Sequence, residues 1–600
     1  MPNPRHDNGI ILGINAYHGD SSACILKNGQ MIAGIEEERL RRIKHWAGFP
    51  SEAIKYCLSE TEIELRHVDH IAFSRNPMSQ MHKKIWFALK KRPSLSLVKD
   101  RLANMARIRS GKLRLSEEFG VDPRAIQAKV HSIEHHLSHS ASAFLVSPFE
   151  KAAVVSIDAF GDFKSTLISV GEGHKIKPFN SVGFPHSLGL LYTAVTQFLG
   201  FPYYGDEYKV MGLASYGDPV YIEELRRMIK PKPKGRFELN IDYFLHATDG
   251  VKMSWNNCAP EIDTAFSPHM ELRLGPARRP DEPVTQKHKD IASSLQRVME
   301  EIYFHVLNYA QTATNLKKLS LAGGVAFNSV ANGKIYDHTE FNDIYIQSAA
   351  GDAGTSLGAA IYVHNTTIHE PKRFVMNSSY WGPSYSDEII KKHLDQNDLQ
   401  YFTTSEDEVI AYTASAISEG KIVGWFQGRA EWGPRALGNR SILCDPRRQD
   451  MKEILNQRIK RREDFRPFAP SILLEATDEY FEKSHPDPFM LKVYSIKQSK
   501  RNIIPAVTHI DGSGRLQTVN KNDNPRYWKL LKAFEKITGV PVLLNTSFNE
   551  NEPMVCNPEE AIRCFVRANI DILVLGNHIV MRQNTTENKL ETPDPQEGKL

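Results

Sequence analysis

The chain opens with apolar runs set between short polar stretches. Ile10 to Asn15 is a short, largely apolar run and predicts a buried strand. Tyr17-His18-Gly19-Asp20-Ser21-Ser22 reads as a polar turn. Ala23 to Leu26 predicts a second strand and Met31 to Ile35 its return, with Asn28-Gly29 supplying the hairpin turn. Glu36 to His45 is charged, and Phe49-Pro50-Ser51 leads into a helix from about Glu52 to Ser59.

The same order returns further on. Val154 to Ile157 predicts a strand, Asp158-Ala159-Phe160-Gly161-Asp162 a turn, Thr166 to Val170 a strand and Gly171-Glu172-Gly173 a hairpin turn. The stretch from Ile14 to Asp20 and the stretch from Ile157 to Asp162 read almost alike, the first with one extra residue. Two copies predict a duplicated α/β fold with a cleft between its halves, where ligands sit at converging strand ends and turns. The alternative is a chance likeness of two short stretches. Ile291, Leu295, Val298, Ile302 and Val306 keep helical spacing and predict a long amphipathic helix. It feeds the strand Leu319-Ser320-Leu321. The segment from Ala322 to Asn328 then places Gly323 and Gly324 at a strand end before a helix, where a phosphate can approach the backbone. Gly351 to Gly358 repeats the loop-to-helix pattern with Asp352 in the loop.

After Asn365 the texture shifts. His369 to Tyr385 reads as a linker, and a second domain begins near Asn377. Ile422 to Phe426 predicts a strand. Basic residues then recur among aromatics, glycines and prolines in Gly428 to Ser441, Lys460 to Ser471 and His509 to Gln517, and Asn545-Thr546-Ser547-Phe548-Asn549 follows the strand Val542-Leu543-Leu544. Arginine in rigid, apolar sequence needs an anionic partner, because an unpaired buried charge is very costly. An internal carboxylate is one candidate; the excess of basic over acidic residues in these loops favours phosphate. No Gly-x4-Gly-Lys-Ser/Thr or kinase signature occurs.

Composition narrows the classes. Six hundred residues predict two or more domains, and 41% hydrophobic with 24% charged residues is an ordinary soluble balance. A formal charge of +4 does not by itself mark a nucleic-acid binder. No apolar run reaches the length of a membrane span, and Met1 to Asn8 lacks a signal-peptide core. Six cysteines without a Cys-x-x-Cys pair argue against a disulfide framework or thiolate site, and a reducing, cytoplasmic location is expected. Lys83 to Arg114 is basic and carries Trp86 and Phe87. It reads as a solvated insertion that steers anionic substrates, with a nucleic-acid or anionic-membrane surface as the alternative.

The candidate chemistry centres on Glu134-His135-His136-Leu137-Ser138-His139. In a helix, His135 and His139 face one way and can grip one divalent ion, while His136 points off that face. The competing reading is a set of hydrogen-bonded core histidines. Asp158 and Asp352 are loop carboxylates that can converge on this pair. Two imidazoles plus carboxylates suit Fe(II), Mn(II) or Zn(II).

With these motifs in view, the chain resembles the O-carbamoyltransferase family that includes the nodulation, cephamycin and tobramycin carbamoyltransferases. The resemblance runs from Ile11 to about Met581 and is most specific at Glu134–His139, Gly428–Ser441, Phe465–Ser471 and Asn545–Asn549. It implies an N-terminal domain, 1–368, similar to the duplicated actin-like ATPase-type α/β fold of the tRNA threonylcarbamoyladenosine transferases. It implies a C-terminal α+β domain, 377–600, whose twisted sheet resembles the threonylcarbamoyl-adenylate synthase fold. By the same resemblance, the C-terminal cavity turns carbamoyl phosphate and ATP into carbamoyl-adenylate. The N-terminal domain passes the carbamoyl group to a hydroxyl of a small-molecule alcohol acceptor in natural-product biosynthesis. His135, His139 and Asp352 match the family's metal ligands, with Asp158 next and Asp162 able to exchange roles with it. Arg435, Lys460, Arg466, Arg515 and Ser547 match the adenylate-forming site, Lys460 and Arg466 as catalytic groups. Gly323, Gly324 and Asn328 match nucleotide contacts, and His18 is the candidate base for the acceptor. The implied cofactors are iron(II), with manganese or zinc as alternatives, and magnesium with ATP. Neither a membrane nor a nucleic acid is an implied partner. The alternatives are a threonylcarbamoyl-type tRNA modifier and a non-catalytic actin-like nucleotide-binding protein.

Overall fold

The apolar start of the chain builds a sheet in the computed structural model, which describes residues 9–91, 111–247, 253–256 and 258–582. Strands β1 (Ile10–Asn15), β2 (Ser22–Lys27) and β3 (Gln30–Glu36) form an antiparallel meander. β4 (His70–Phe73) and β5 (Lys129–Ser132) extend it in parallel, giving the order β3-β2-β1-β4-β5. Every residue of β1 is buried, as expected for a central strand covered on both faces.

A second sheet repeats this plan. β6 (Lys151–Gly161), β7 (Lys164–Glu172) and β8 (Lys175–Gly183) form its antiparallel meander. Two small hairpins follow, β9 (Ile229–Lys232) with β10 (Arg236–Leu239) and β11 (Met253–Asn256) with β12 (Ala259–Ile262). β13 (Lys318–Ala322) then joins β6 in parallel and β14 (Asp343–Tyr345) joins β13, so the order is β14-β13-β6-β7-β8. Both sheets therefore share one connectivity: a three-stranded meander, then two parallel strands added beside its first strand. The likeness of the two sequence stretches is a structural duplication.

The expected turn over Asp158–Asp162 is placed differently. β6 continues to Gly161 through a register shift after Ile157, and the reversal falls on Asp162 and Phe163, both at positive φ. A bulge lets polar residues stay on a strand while leaving its ladder, which period-2 reading cannot see. The next turn also lies later, after Glu172.

Two helices lie between the sheets. The helix His135–Phe144 starts on Glu134, whose side chain accepts the Leu137 N–H. The helix Thr355–Tyr362 packs against both this helix and β1. A Cβ on Gly358 would stand 1.8 Å from the Ser138 carbonyl oxygen, so the absent side chain sets how closely the helices approach. Ser22 Oγ fastens the other side, 2.6 Å from the Ala353 carbonyl and 2.8 Å from Ser356 Oγ. The long helix Gln286–Thr314 buries Ile291, Leu295, Val298, Ile302 and Val306. Lys83–Arg114 begins in the helix Met81–Lys91 and ends in the helix Gly111–Phe119; residues 92–110 lie outside the described part.

The chain forms two units, Met1–Arg41 with His45–Met376, and Arg42–Lys44 with Asn377–Leu600. The second is built on a mixed sheet. Its strands are β15 (Tyr401–Thr403), β16 (Val423–Phe426), β17 (Arg440–Cys444), β18 (Ala469–Leu473) and β19 (Lys492–Ser495). β20 (Ser513–Val519), β21 (Val542–Ser547), β22 (Ile572–Leu575) and β23 (His578–Met581) complete it. The order is β15-β23-β22-β16-β17-β21-β18-β20-β19. Trp425, Phe426, Tyr527, Phe534 and Phe548 are buried in its core. No helix among the described residues is long and apolar enough to cross a membrane.

Replacing Gly358 by alanine should force the two central helices apart and destabilise the fold by about 1–3 kcal/mol. Urea unfolding of Gly358→Ala checks this; an unchanged midpoint would mean that the helix contact is slack.

Candidate functional site

The helix His135–Phe144 sets two imidazoles on one face, and the bulged end of β6 and the turn Asp352–Gly354 bring acids to meet them. His135 Nε2 lies 3.2 Å from Asp158 Oδ2 and 3.5 Å from Asp352 Oδ1. His139 Nε2 lies 3.3 Å from each of these oxygens and 3.1 Å from His135 Nε2. All four residues are buried. Such separations are the edges of a coordination polyhedron with bonds of about 2.0–2.2 Å. The outer nitrogens of both imidazoles, His135 Nδ1 and His139 Nδ1, lack hydrogen-bond partners. Four inward-facing donor atoms of nitrogen and oxygen type thus fit a divalent ion.

Electrostatics separate the two histidines. Burial, with His139 alongside, pushes His135 below its ordinary range. Burial acts the same way on His139, but its hydrogen bonds to Asp158 and Asp352 outweigh it and carry the imidazole up to about 9. Burial would raise Asp158, yet the two histidines hold it well below the usual carboxylate range. Asp352 is also held low, with His18 opposing its burial.

The neighbouring acid has another task. Asp162 Oδ2 accepts the backbone N–H of His135 at 2.9 Å and of Asn76 at 2.8 Å, so it anchors the helix start. His136 turns to Ser156 Oγ, 2.9 Å away. His18 comes from the first-copy turn, and its Nδ1 pairs with Asp352 Oδ2. Gly324 donates its N–H to Asp158 Oδ1 at 3.0 Å. Gly323 has φ +95°, and a Cβ there would stand 2.1 Å from the Ile157 carbonyl oxygen. The Asn328 side chain is taken up by Gln296 and by the Ala331 N–H.

In the second unit, the loops before β17 and β18 lie over neighbouring strands. The Ala436 carbonyl accepts from Asn545 of β21 and the Leu437 carbonyl from Gln517 of β20. Glu431, which motif reading passes over, accepts the N–H groups of Leu437, Asn439 and Arg440 on its Oε1. This fixes the loop that carries Arg435. Burial, then repulsion from Arg435 and Arg462, pushes Arg515 well below its ordinary range, and its Nε has no hydrogen-bond partner. Arg435, Arg462 and Arg515 therefore form one basic cluster. Lys460 is buried at the end of the π-helical turn Leu455–Lys460. Its Nζ donates to the Ser547 carbonyl at 2.6 Å and to the Asn549 carbonyl and Oδ1 at 2.7 Å each, with Ser547 Oγ at 3.3 Å. Arg466 Nη1 reaches Glu463 Oε2 at 3.3 Å. Arg440 is wholly buried, bound to the Gln427, Gly428, Asn439 and Pro383 carbonyls, with its guanidinium 3.6 Å from the Phe426 ring centre.

Comparison with known proteins gives the class. Residues 10–361 match the family described as Carbamoyltransferase N-terminus, and residues 414–582 match Carbamoyltransferase C-terminus. An uncharacterized protein of Synechocystis sp. is 40% identical, over 95% of this chain and 96% of its own length. The nodulation protein NolNO of Sinorhizobium fredii is 40% identical, over 97% and 81%. The 3'-hydroxymethylcephem-O-carbamoyltransferase of Amycolatopsis lactamdurans is 29% identical, over 71% and 75%. The chain belongs to the carbamoyltransferase family, and it is an enzyme that transfers carbamoyl groups.

Asp158→Ala should lose stoichiometric divalent metal, read by plasma mass spectrometry. Asp162→Ala should keep it and lose about 1–3 kcal/mol of stability, because two N–H groups are left without an acceptor. The reverse outcome would exchange the roles of the two acids.

Proposed function

We propose that this enzyme is an ATP-dependent O-carbamoyltransferase that works in two half-reactions. The second unit makes carbamoyl-adenylate from carbamoyl phosphate and ATP, releasing pyrophosphate. The N-terminal unit, which we read as the actin-like domain of the family resemblance, passes the carbamoyl group to a hydroxyl of a small-molecule acceptor. We read the second unit's mixed sheet as the counterpart of the threonylcarbamoyl-adenylate synthase fold.

The observation that carries the first half-reaction is the cluster of Arg435, Arg462 and Arg515, in which Arg515 is half-buried, is repelled by its neighbours and has an Nε without a hydrogen-bond partner. Carbamoyl phosphate and ATP bring many negative charges together, and such a cluster offsets their repulsion and stabilises pyrophosphate as it leaves. Arg466 adds a further cation. Lys460 holds Ser547 and Asn549 in place at the β21 end, and we read Ser547 as part of the same site by the family resemblance.

The observation that carries the second is the meeting of His135, His139, Asp158 and Asp352 beside His18. A divalent ion there, iron(II) by the family resemblance, supplies Lewis acidity that makes AMP a better leaving group. Asp352 holds His18 Nδ1, which leaves His18 Nε2 to take the acceptor's proton. Gly323 and Gly324, at the end of β13, are the nucleotide contacts that the family resemblance implies. Magnesium accompanies ATP. One relative is named for a 3'-hydroxymethylcephem acceptor; for this chain we read the acceptor class as an alcohol of small-molecule size.

Arg515→Ala should slow ATP- and carbamoyl-phosphate-dependent pyrophosphate release by about 10- to 100-fold, the loss of roughly 1.5–3 kcal/mol expected for one charged contact. His18→Asn should keep pyrophosphate release and lose transfer. Wild-type pyrophosphate release in Arg515→Ala would remove adenylate formation from this cavity.

A further inference from the structure

Tyr204 stands just ahead of the helix Glu207–Leu213 and has no part in the chemistry above. It is half-buried. Its hydroxyl oxygen lies 2.2 Å from where a Cβ on Gly19 would be, so only a residue without a side chain admits it there. Gly19 sits between His18, which is tied to the site, and Asp20, which is tied to His45. His18 pairs with Asp352, and Asp20 Oδ1 is 2.7 Å from His45 Nδ1. The His45 ring packs edge-on against Tyr204, with centroids 5.2 Å apart. The ring is thus held by His45 and the hydroxyl is set against the first-copy turn. That hydroxyl has no hydrogen-bond partner among the described residues. Burial, then the charges of Asp20, Asp352 and Asp158, keeps the phenol protonated by pushing it well above its ordinary range. Tyr204 therefore sets a fixed phenol hydroxyl against the turn that carries His18.

We propose that Tyr204 is a further catalytic residue, donating a hydrogen bond to the carbamoyl carbonyl oxygen as negative charge gathers there during transfer. This rests on the carbamoyl-transfer reading and adds its oxyanion donor. In the step, the acceptor oxygen bonds to the carbamoyl carbon. The bond from that carbon to the phosphate oxygen breaks, and AMP leaves with the electron pair. The acceptor's proton passes to His18 Nε2, and Tyr204 keeps its own. A donor already fixed in place needs no reorganisation when the charge develops, which is why such groups act strongly.

Tyr204→Phe keeps the ring against His45 and removes only the hydroxyl. The test uses the metal-loaded full chain with radiolabelled carbamoyl phosphate and ATP, and with glycerol or water as the probe acceptor. Pyrophosphate release by the wild type is measured first, so that a failure of the adenylate reading is seen separately. The expected result is a fall of about 100-fold in kcat for carbamoyl transfer. KM for glycerol, metal content and unfolding midpoint should hold. Because attack by water builds the same charge on the same oxygen, hydrolysis of the bound adenylate should fall by the same factor. A loss confined to glycerol, a rise in KM alone, or wild-type transfer would each overturn the proposal.

Discussion

Two imidazoles and two carboxylates share one buried site in the N-terminal unit, and much of that unit serves to hold them there. Four ionisable groups out of water are costly unless they compensate one another. With Asp158 and Asp352 held ionised and His139 carrying the proton that His135 gives up, the set retains an excess of negative charge. A divalent cation that replaces the proton removes that excess, and the donor spacing already matches it. The duplicated sheets supply the geometry. Each contributes a residue from the end of its first strand or just beyond it, Asp158 from the bulged end of β6 and His18 from the turn after β1, while the helix of histidines and the helix after Asp352 fill the space between.

Part of this was legible in the sequence because it obeys a simple period. His135 and His139 are one helical turn apart, and no other packing information was needed to place them on one face. The likeness of Ile14–Asp20 to Ile157–Asp162 carried the duplication, and the shared strand connectivity follows it. The choice between Asp158 and Asp162 was not legible. Both are polar residues near a bend, and only the bulge in β6 decides which carboxylate turns inward and which takes the helix N–H. Tyr204 was also invisible, since its proximity to Gly19 joins residues far apart in the chain. The mixed sheet of the second unit could not be read at all beyond single strands. Its neighbours, such as β17 with β21 and β16 with β22, come from distant segments.

The basic loops of the second unit show why charge alone misleads. Motif reading treats their cations alike, yet the structure gives three of them different surroundings. Arg440 meets four carbonyls and an aromatic face, and so knits the loop before β17 to the residues around it. Lys460 is ringed by oxygens of Ser547 and Asn549, and so fixes the end of β21. Burial lowers the proton affinity of all three, but for Arg515 the next influences are two further arginines. Desolvation of a guanidinium next to like charges is tolerable only when an anion arrives to offset it. The first two cations are met by oxygens of the chain itself, whereas Arg515 Nε has no hydrogen-bond partner. Glu431 sharpens the distinction. An internal carboxylate is present in these loops, but its Oε1 is directed to backbone N–H groups, and the acid whose charge bears on Arg515 is Asp487.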